Sequence, residues 1–166
     1  PYFGYMRGRY SKEELREIDD YGYSLGIEVV PCIQTLAHLK QTLRWPYGEG
    51  MKDTQDVLLV GEEKTYKFIE AMISYLRECF RSKNIHIGMD EAFDLGRGHY
   101  LTKHGHVPHQ ELMVEHLNKV NEIAKKYDFK PMIWDDMFLR CGAPDGGYYD
   151  LDIVITPEIA NNIPEE

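Results

Sequence analysis

The stretch Asn84-Ile85-His86-Ile87-Gly88-Met89-Asp90-Glu91 decides the fold class. Ile85, Ile87 and Met89 alternate with Asn84, His86 and Gly88, the period of a strand with one apolar face. Polar residues bound the run, which favours a short strand over a helix. Two adjacent carboxylates, Asp90 and Glu91, follow at its C-terminal end. In a parallel α/β sheet or barrel, that end is where chemistry is built. Gly88 admits a close backbone or ligand approach. Neighbouring acids in a strand point to opposite sides, so the pair is expected to divide its roles. An acidic turn before a helix is the plain alternative.

Outward from this strand, helical and extended patterns alternate. Upstream, 62–81 is amphipathic, with Tyr66, Ile69, Ile73, Leu76 and Phe80 on one stripe. Before it, 34–61 is a long, weakly periodic segment holding His38, Arg44, Trp45 and Tyr47; a loop of that length is usually functional. The run 27–33 reads as a short, apolar, buried parallel strand. Ser11 with Glu14 makes a capping box for a helix carrying Leu15, Ile18, Tyr21 and Leu25, with Gly26 as its stop. Residues 1–10 read as a loop.

Downstream, 92–108 is a loop with His99, His104 and His106, and His109 follows it directly. Clustered histidines raise a metal site, but no cysteine or carboxylate completes a recognisable ligand spacing. A helix is expected over 110–127 on Leu112, Val114, Leu117, Val120 and Ile123. A strand follows over 130–134, ending in Trp134-Asp135-Asp136. A Gly/Pro-rich connection over 140–150 leads to a strand over 151–156, and 157–166 is expected to end without a paired helix. Strands alternating with helices imply right-handed βαβ units and a parallel sheet, hence an α/β class.

The 166 residues suffice for one domain with a sizeable core. A net charge of −9, from 19 basic and 28 acidic residues, gives no electrostatic reason to bind nucleic acid or an anionic membrane. No run is long enough to span a membrane. Cys32, Cys79 and Cys141 fit neither a disulfide framework nor a zinc set, and are expected as buried free thiols in a reducing compartment. The chain starts at Pro1 with no visible export signal, so it reads as a piece of a longer protein, and a cytoplasmic location is expected.

His86-Ile87-Gly88-Met89-Asp90-Glu91 resembles the His-x-Gly-x-Asp-Glu signature of glycoside hydrolase family 20, the β-N-acetylhexosaminidases; many members have Gly or Ala where Met89 stands. The segment from Val30 to His38 resembles the family's Pro-Glu-Ile-Asp-x-Pro-Gly-His stretch at Pro31, Ile33 and His38. It departs from it at Cys32, Gln34, Leu36 and Ala37. Met132-Ile133-Trp134-Asp135-Asp136 resembles the family's fifth-strand tip.

The resemblance implies a (β/α)8 TIM barrel, of which this single partial domain (1–166) would supply strands three to six. The first two and last two strands would be absent. It implies an exo-acting, retaining β-N-acetylhexosaminidase whose substrate assists its own cleavage. Glu91 would be the general acid/base and Asp90 would hold the acetamido group. His38 would line the pocket, and Trp134 would wall the acetamido methyl. Asp135 and Asp136 could contact sugar hydroxyls or cap the next helix. A protonated Glu91 would need burial or a neighbouring negative charge, such as Asp90 in an aromatic-walled pocket.

No cofactor and no metal are implied. The partner is a glycan or glycoconjugate with a terminal N-acetylhexosamine, and a homo-oligomer is left open. The family's first-strand Arg, seventh-strand Tyr and eighth-strand Trp–Glu pair have no counterpart in this stretch. The competing readings are a non-catalytic N-acetylhexosamine-binding protein and a metal-dependent hydrolase using the His99–His109 loop.

Overall fold

The structure is a computed structural model that describes residues 8–142 and 156–164. Its helices are α1 (Lys12–Ser24), α2 (Lys40–Leu43), α3 (Glu63–Arg77), α4 (His99–His104), α5 (His109–Lys126), α6 (Asp136–Gly142) and α7 (Pro157–Asn162). Its strands are β1 (Asn84–His86) and β2 (Lys130–Met132), and a 3-10 turn lies at Pro46–Gly48. No helix among the described residues is long and apolar enough to cross a membrane.

β1 and β2 pair in parallel, with Ile85 opposite Pro131 and His86 opposite Met132. The fold is mixed α/β around this two-stranded parallel sheet. Pro131 has no N–H to give the ladder. Pairing continues past β1 where the Ile87 N–H donates to the Met132 carbonyl at 2.9 Å.

The strand expected over 27–33 is reduced to one parallel bridge, Cys32 with His86. The His86 N–H donates to Pro31 O and the Ile33 N–H to His86 O, each at 2.9 Å, so the segment still runs along β1. Its physical limits are Pro31, which lacks a donor, and an outer edge where Ile27 and Val30 stand exposed. The strand expected over 151–156 lies outside the described residues, apart from Thr156. The terminal stretch holds α7, a short helix where none was expected.

α1 begins as its capping box dictates. The Glu14 N–H donates to Ser11 Oγ at 3.2 Å, and the Ser11 N–H donates to Glu14 Oε2 at 2.7 Å. The helix ends at Ser24 with Leu25 as its C-cap, and Gly26 follows at a φ of +73° that suits glycine. Its apolar stripe does not face the core: Ile18, Tyr21 and Leu25 are exposed, while Asp19 and Gly22 are buried. Asp19 is paired with Arg81.

The core lies between β1, α3 and α5. Ile69 and Ile73 from α3, Ile85, Ile87 and Met89 from the central run, and Leu112 and Val120 from α5 are all essentially inaccessible. Burying one such side chain contributes about 1.5–3 kcal/mol. The long segment 34–61, read as a loop, also packs into this core through Leu36, Leu43, Met51 and Leu58. The loop 92–108 likewise contains α4. Cys79 is buried as expected, but Cys32 is exposed. Partial burial and then the charge of Asp90 push the Cys32 thiol up.

Candidate functional site

The chain leaves strand geometry directly after β1. Gly88 has φ +71°, Met89 +73° and Glu91 +50°. The alternation argument for Asp90 and Glu91 therefore fails, because the residues that carry it are no longer extended. Instead the chain coils at the C-terminal end of the ladder. Only Gly88 takes this conformation freely. For L-residues it costs about 1–2 kcal/mol each, and such strain gathers where geometry is over-determined. His38, at φ +58°, is a further left-handed non-glycine residue, so three of the four among the described residues stand at this one place.

Two neighbouring segments converge on the pair of acids. From the segment after Cys32, Gln34 Nε2 donates to Asp90 Oδ1 at 2.9 Å. His38 Nε2 lies 3.1 Å from Asp90 Oδ2 and 3.6 Å from Glu91 Oε2. One imidazole thus bridges both carboxylates. From the start of α6, Asp136 Oδ2 accepts the Glu91 N–H at 3.1 Å. Asp90 and Glu91 do divide their surroundings: Asp90 is held by two side chains and is 22% exposed, whereas Glu91 is 54% exposed. Burial of Glu91 in an aromatic-walled pocket, expected from the resemblance, is not supplied by the described residues.

Gly88 makes this convergence sterically possible. A Cβ built there would lie 2.1 Å from Gln34 Oε1 and 2.9 Å from the Ile33 carbonyl oxygen. The Gln34 amide therefore occupies the space a side chain would fill. Its Oε1 is buried without a hydrogen-bond partner, as is Asp136 Oδ1.

Trp134 is tied to the same turn, since its N–H donates to Gly88 O at 3.2 Å. Its indole packs 4.8 Å from the His86 imidazole, at an interplanar angle of 51°. The ring is half exposed. His86 Nδ1 accepts the Gly88 N–H at 3.2 Å, a backbone role in keeping with its place in the strand. Asp135 caps α6 through its carbonyl, which accepts from Phe138 and Leu139.

Two residues that the sequence did not single out hold the loops. His116 of α5 is completely buried, and its Nε2 donates to the Thr35 carbonyl at 2.8 Å. Thr35 in turn donates to Ile87 O from both N (3.1 Å) and Oγ1 (2.8 Å), which fixes the peptide between Gln34 and His38. Burial pushes the His116 pKa down to about 4, against the opposing hydrogen bond to Thr35. The second is Asp53, 1% exposed, which accepts backbone N–H groups from Gly96 at 2.6 Å and Tyr100 at 2.8 Å. It locks the segment 34–61 to the loop after β1. A histidine in the register of Leu112 and Val120 was a visible signal for the first; Asp53 carried none.

The histidines His99, His104 and His106 are exposed, and His109 is half-buried. Burial, then the neighbouring Arg97 and Arg140, push the His109 pKa down. Among the described residues, no three His, Cys, Asp or Glu side chains converge as a metal would require.

Residues 4–151 match the model for "Glycosyl hydrolase family 20, catalytic domain". Hexosaminidase D of Bos taurus is 26% identical over 156 residues, covering 82% of this chain and 44% of the bovine protein. Beta-hexosaminidase 3 of Arabidopsis thaliana is 26% identical over 145 residues, covering 81% of this chain and 26% of the plant protein. A mutant Streptomyces plicatus beta-hexosaminidase, solved with its product GlcNAc, superposes with a TM-score of 0.62 at 25% identity; the match covers 83% of this chain and 27% of that one. The chain thus spans less than half the length of these relatives.

Proposed function

As this chain belongs to glycosyl hydrolase family 20, within its catalytic domain, we propose that it is the Asp-Glu-bearing part of a retaining, exo-acting β-N-acetylhexosaminidase. In this reading residues 1–166 supply the third to sixth strands of a (β/α)8 barrel. The exposed apolar stripe of α1 and the exposed Ile27 and Val30 support that reading, since further barrel elements would cover them. The complete protein releases terminal β-linked N-acetylglucosamine or N-acetylgalactosamine.

The observation that carries the proposal is the convergence of Gln34, His38 and Asp136 on Asp90 and Glu91 at the C-terminal end of a parallel ladder. In the proposed mechanism the substrate's 2-acetamido oxygen attacks the anomeric carbon while Glu91 protonates the leaving oxygen. Glu91 then takes the proton from the incoming water. Asp90 accepts the acetamido N–H and favours the charge developing on that group. Gln34 and His38 fix the Asp90 carboxylate, so that its orientation is set before substrate arrives. Asp136 anchors the Glu91 backbone by accepting its N–H. Trp134 offers an aromatic face for the acetamido methyl.

The reading is tested on the complete protein with Glu91→Gln. General acid–base catalysis contributes about 10²–10⁴-fold, so turnover of a 2-acetamido substrate is expected to fall by at least a hundredfold with little change in Tm. Unchanged turnover would remove Glu91 from the mechanism. Tight sugar binding without turnover by the wild type would favour a sugar-binding protein instead.

A further inference from the structure

Three parallel segments lie side by side below the two acids. His86 sits on the middle one, opposite Cys32 on one side and Met132 on the other. Its neighbours along the chain, Ile85 and Ile87, are both buried in the core. The period of two therefore sends the His86 side chain to the opposite face of the sheet. That face leads up to Gly88, where the chain turns towards Asp90.

The imidazole makes two contacts there. Its Nδ1 accepts the Gly88 N–H at 3.2 Å, so the ring proton sits on Nε2 while that bond is held. Its ring lies 4.8 Å from the Trp134 indole, within the roughly 4.5–7 Å range of aromatic pairs. The backbone N–H of Trp134 donates to the Gly88 carbonyl at 3.2 Å. The three residues close a circuit: His86 holds Gly88, Gly88 holds the Trp134 backbone, and the indole returns to His86.

The indole has little else behind it. Trp134 is 53% exposed, and Met132, two residues before it, is 49% exposed. Among the described residues, the ring packed against the indole is that of His86. A backbone hydrogen bond sets where the Trp134 Cα stands but not which rotamer its side chain takes; a ring packed on one face does. The other face of the indole is then presented in one orientation, beside the turn that carries Asp90.

We propose that His86 is a positioning residue: its imidazole buttresses Trp134 and so sets the size of the acyl group accepted on the sugar's 2-amino group. The inference rests on the hydrolase reading above, in which Trp134 faces the acetamido methyl, and adds what fixes that wall. An acetyl group fits against a held indole, whereas a longer acyl chain requires the indole to move. His86 acts through Trp134 and takes no part in proton transfer.

The test uses the complete protein and two aryl β-glucosaminides, one N-acetylated and one N-butanoylated. A pocket that rejects two added methylenes is expected to favour the N-acetyl substrate in kcat/KM by roughly a hundredfold or more. In His86→Asn the side-chain oxygen can still accept the Gly88 N–H, as Asn does from the residue two places on, but no ring remains against Trp134. Its Tm should stay close to that of wild type, while the preference falls at least roughly tenfold. Loss of folded protein would lower both substrates alike and leave the preference intact. His86→Ser keeps an acceptor in the same way and takes the place of His86→Asn if that variant does not fold. His86→Phe restores a ring and gives up the acceptor; its Tm should fall and its preference should survive. An unchanged preference in His86→Asn overturns the proposal, as does a lost preference in His86→Phe or equal turnover of both substrates by the wild type. If neither substrate is cleaved, the hydrolase reading falls, and calorimetric titration with N-acetyl- and N-butanoylglucosamine decides the role of His86. Tighter binding of N-acetylglucosamine that is lost in His86→Asn sustains it; equal binding, or none, overturns it.

Discussion

Gly88→Ala is the substitution that most directly probes how the site is assembled. An added Cβ would lie 2.1 Å from Gln34 Oε1, 2.7 Å from Gln34 Cδ and 2.9 Å from Ile33 O, at a backbone φ of +71°. Holding alanine in the left-handed region costs about 1–2 kcal/mol. The Gln34 amide can swing away, but doing so breaks its 2.9 Å bond to Asp90, worth about 1 kcal/mol net. Ile33 O cannot yield so easily, because the Ile33 and Thr35 N–H groups anchor that backbone to His86 O and Ile87 O. Overpacking of this kind costs about 1–3 kcal/mol. A loss of about 3–6 kcal/mol is expected in all, lowering Tm by roughly 6–24 °C on the 2–4 °C per kcal/mol scale of domains this size.

The assay is thermal unfolding of the complete protein beside turnover of an N-acetyl-β-glucosaminide. Turnover should fall at least tenfold at a temperature where the variant is folded, because Asp90 has lost its Gln34 donor. Adding Gln34→Ala should restore part of the stability and none of the activity, since the two positions share one space and are not additive. A Tm within about 2 °C of wild type, with unchanged kcat/KM, would refute the idea that Gln34 fills the place of a side chain at position 88.

Two further outcomes follow from the buried groups. His116 has an ordinary pKa of 6.5 and a folded value near 4. Below pH 6.5 the unfolded chain binds a proton that the folded chain refuses, so stability falls as pH drops towards 4, by about 3 kcal/mol in total at about 1.4 kcal/mol per pH unit. Denaturant titrations across that window should show the slope, and His116→Gln should flatten it; an unchanged slope would mean that other groups carry the acid sensitivity. Asp53→Ala leaves the buried Gly96 N–H and its neighbours without an acceptor. A loss on the order of 3 kcal/mol is expected, with amide exchange accelerating first in the loop after β1. Uniform exchange across the chain would argue against a local lock.

The sequence showed what local rules control. The capping box at Ser11 and the stripes of α3 and α5 came out with nearly their expected bounds, because each is set by residues within a few turns. The parallel pairing of β1 with β2 followed from the alternation of elements. What failed depended on neighbours along the sheet. The run 27–33 has strand-forming residues, yet Pro31 and an exposed outer edge leave it a single bridge. The stripe of α1 was legible as apolar, but its exposure was not, since exposure depends on what packs against it. At the site, Asp90, Glu91 and His38 were visible through a signature. The roles of Gln34, Asp53 and His116 arise from contacts between residues 43–81 positions apart. The left-handed Met89 and Glu91 lay beyond any period-based reading, because the strand rule stops at Gly88.

The central claim is that Asp90 and Glu91 serve a reaction in which the substrate's acetamido group takes part. The most direct measurement compares two aryl glycosides on the complete protein, the N-acetyl-β-glucosaminide and the plain β-glucoside. Rapid release from the first alone is the predicted result. Equal release from both would contradict the account and point to a conventional pair of separated carboxylates, with Asp135 or Asp136 as the second acid to examine.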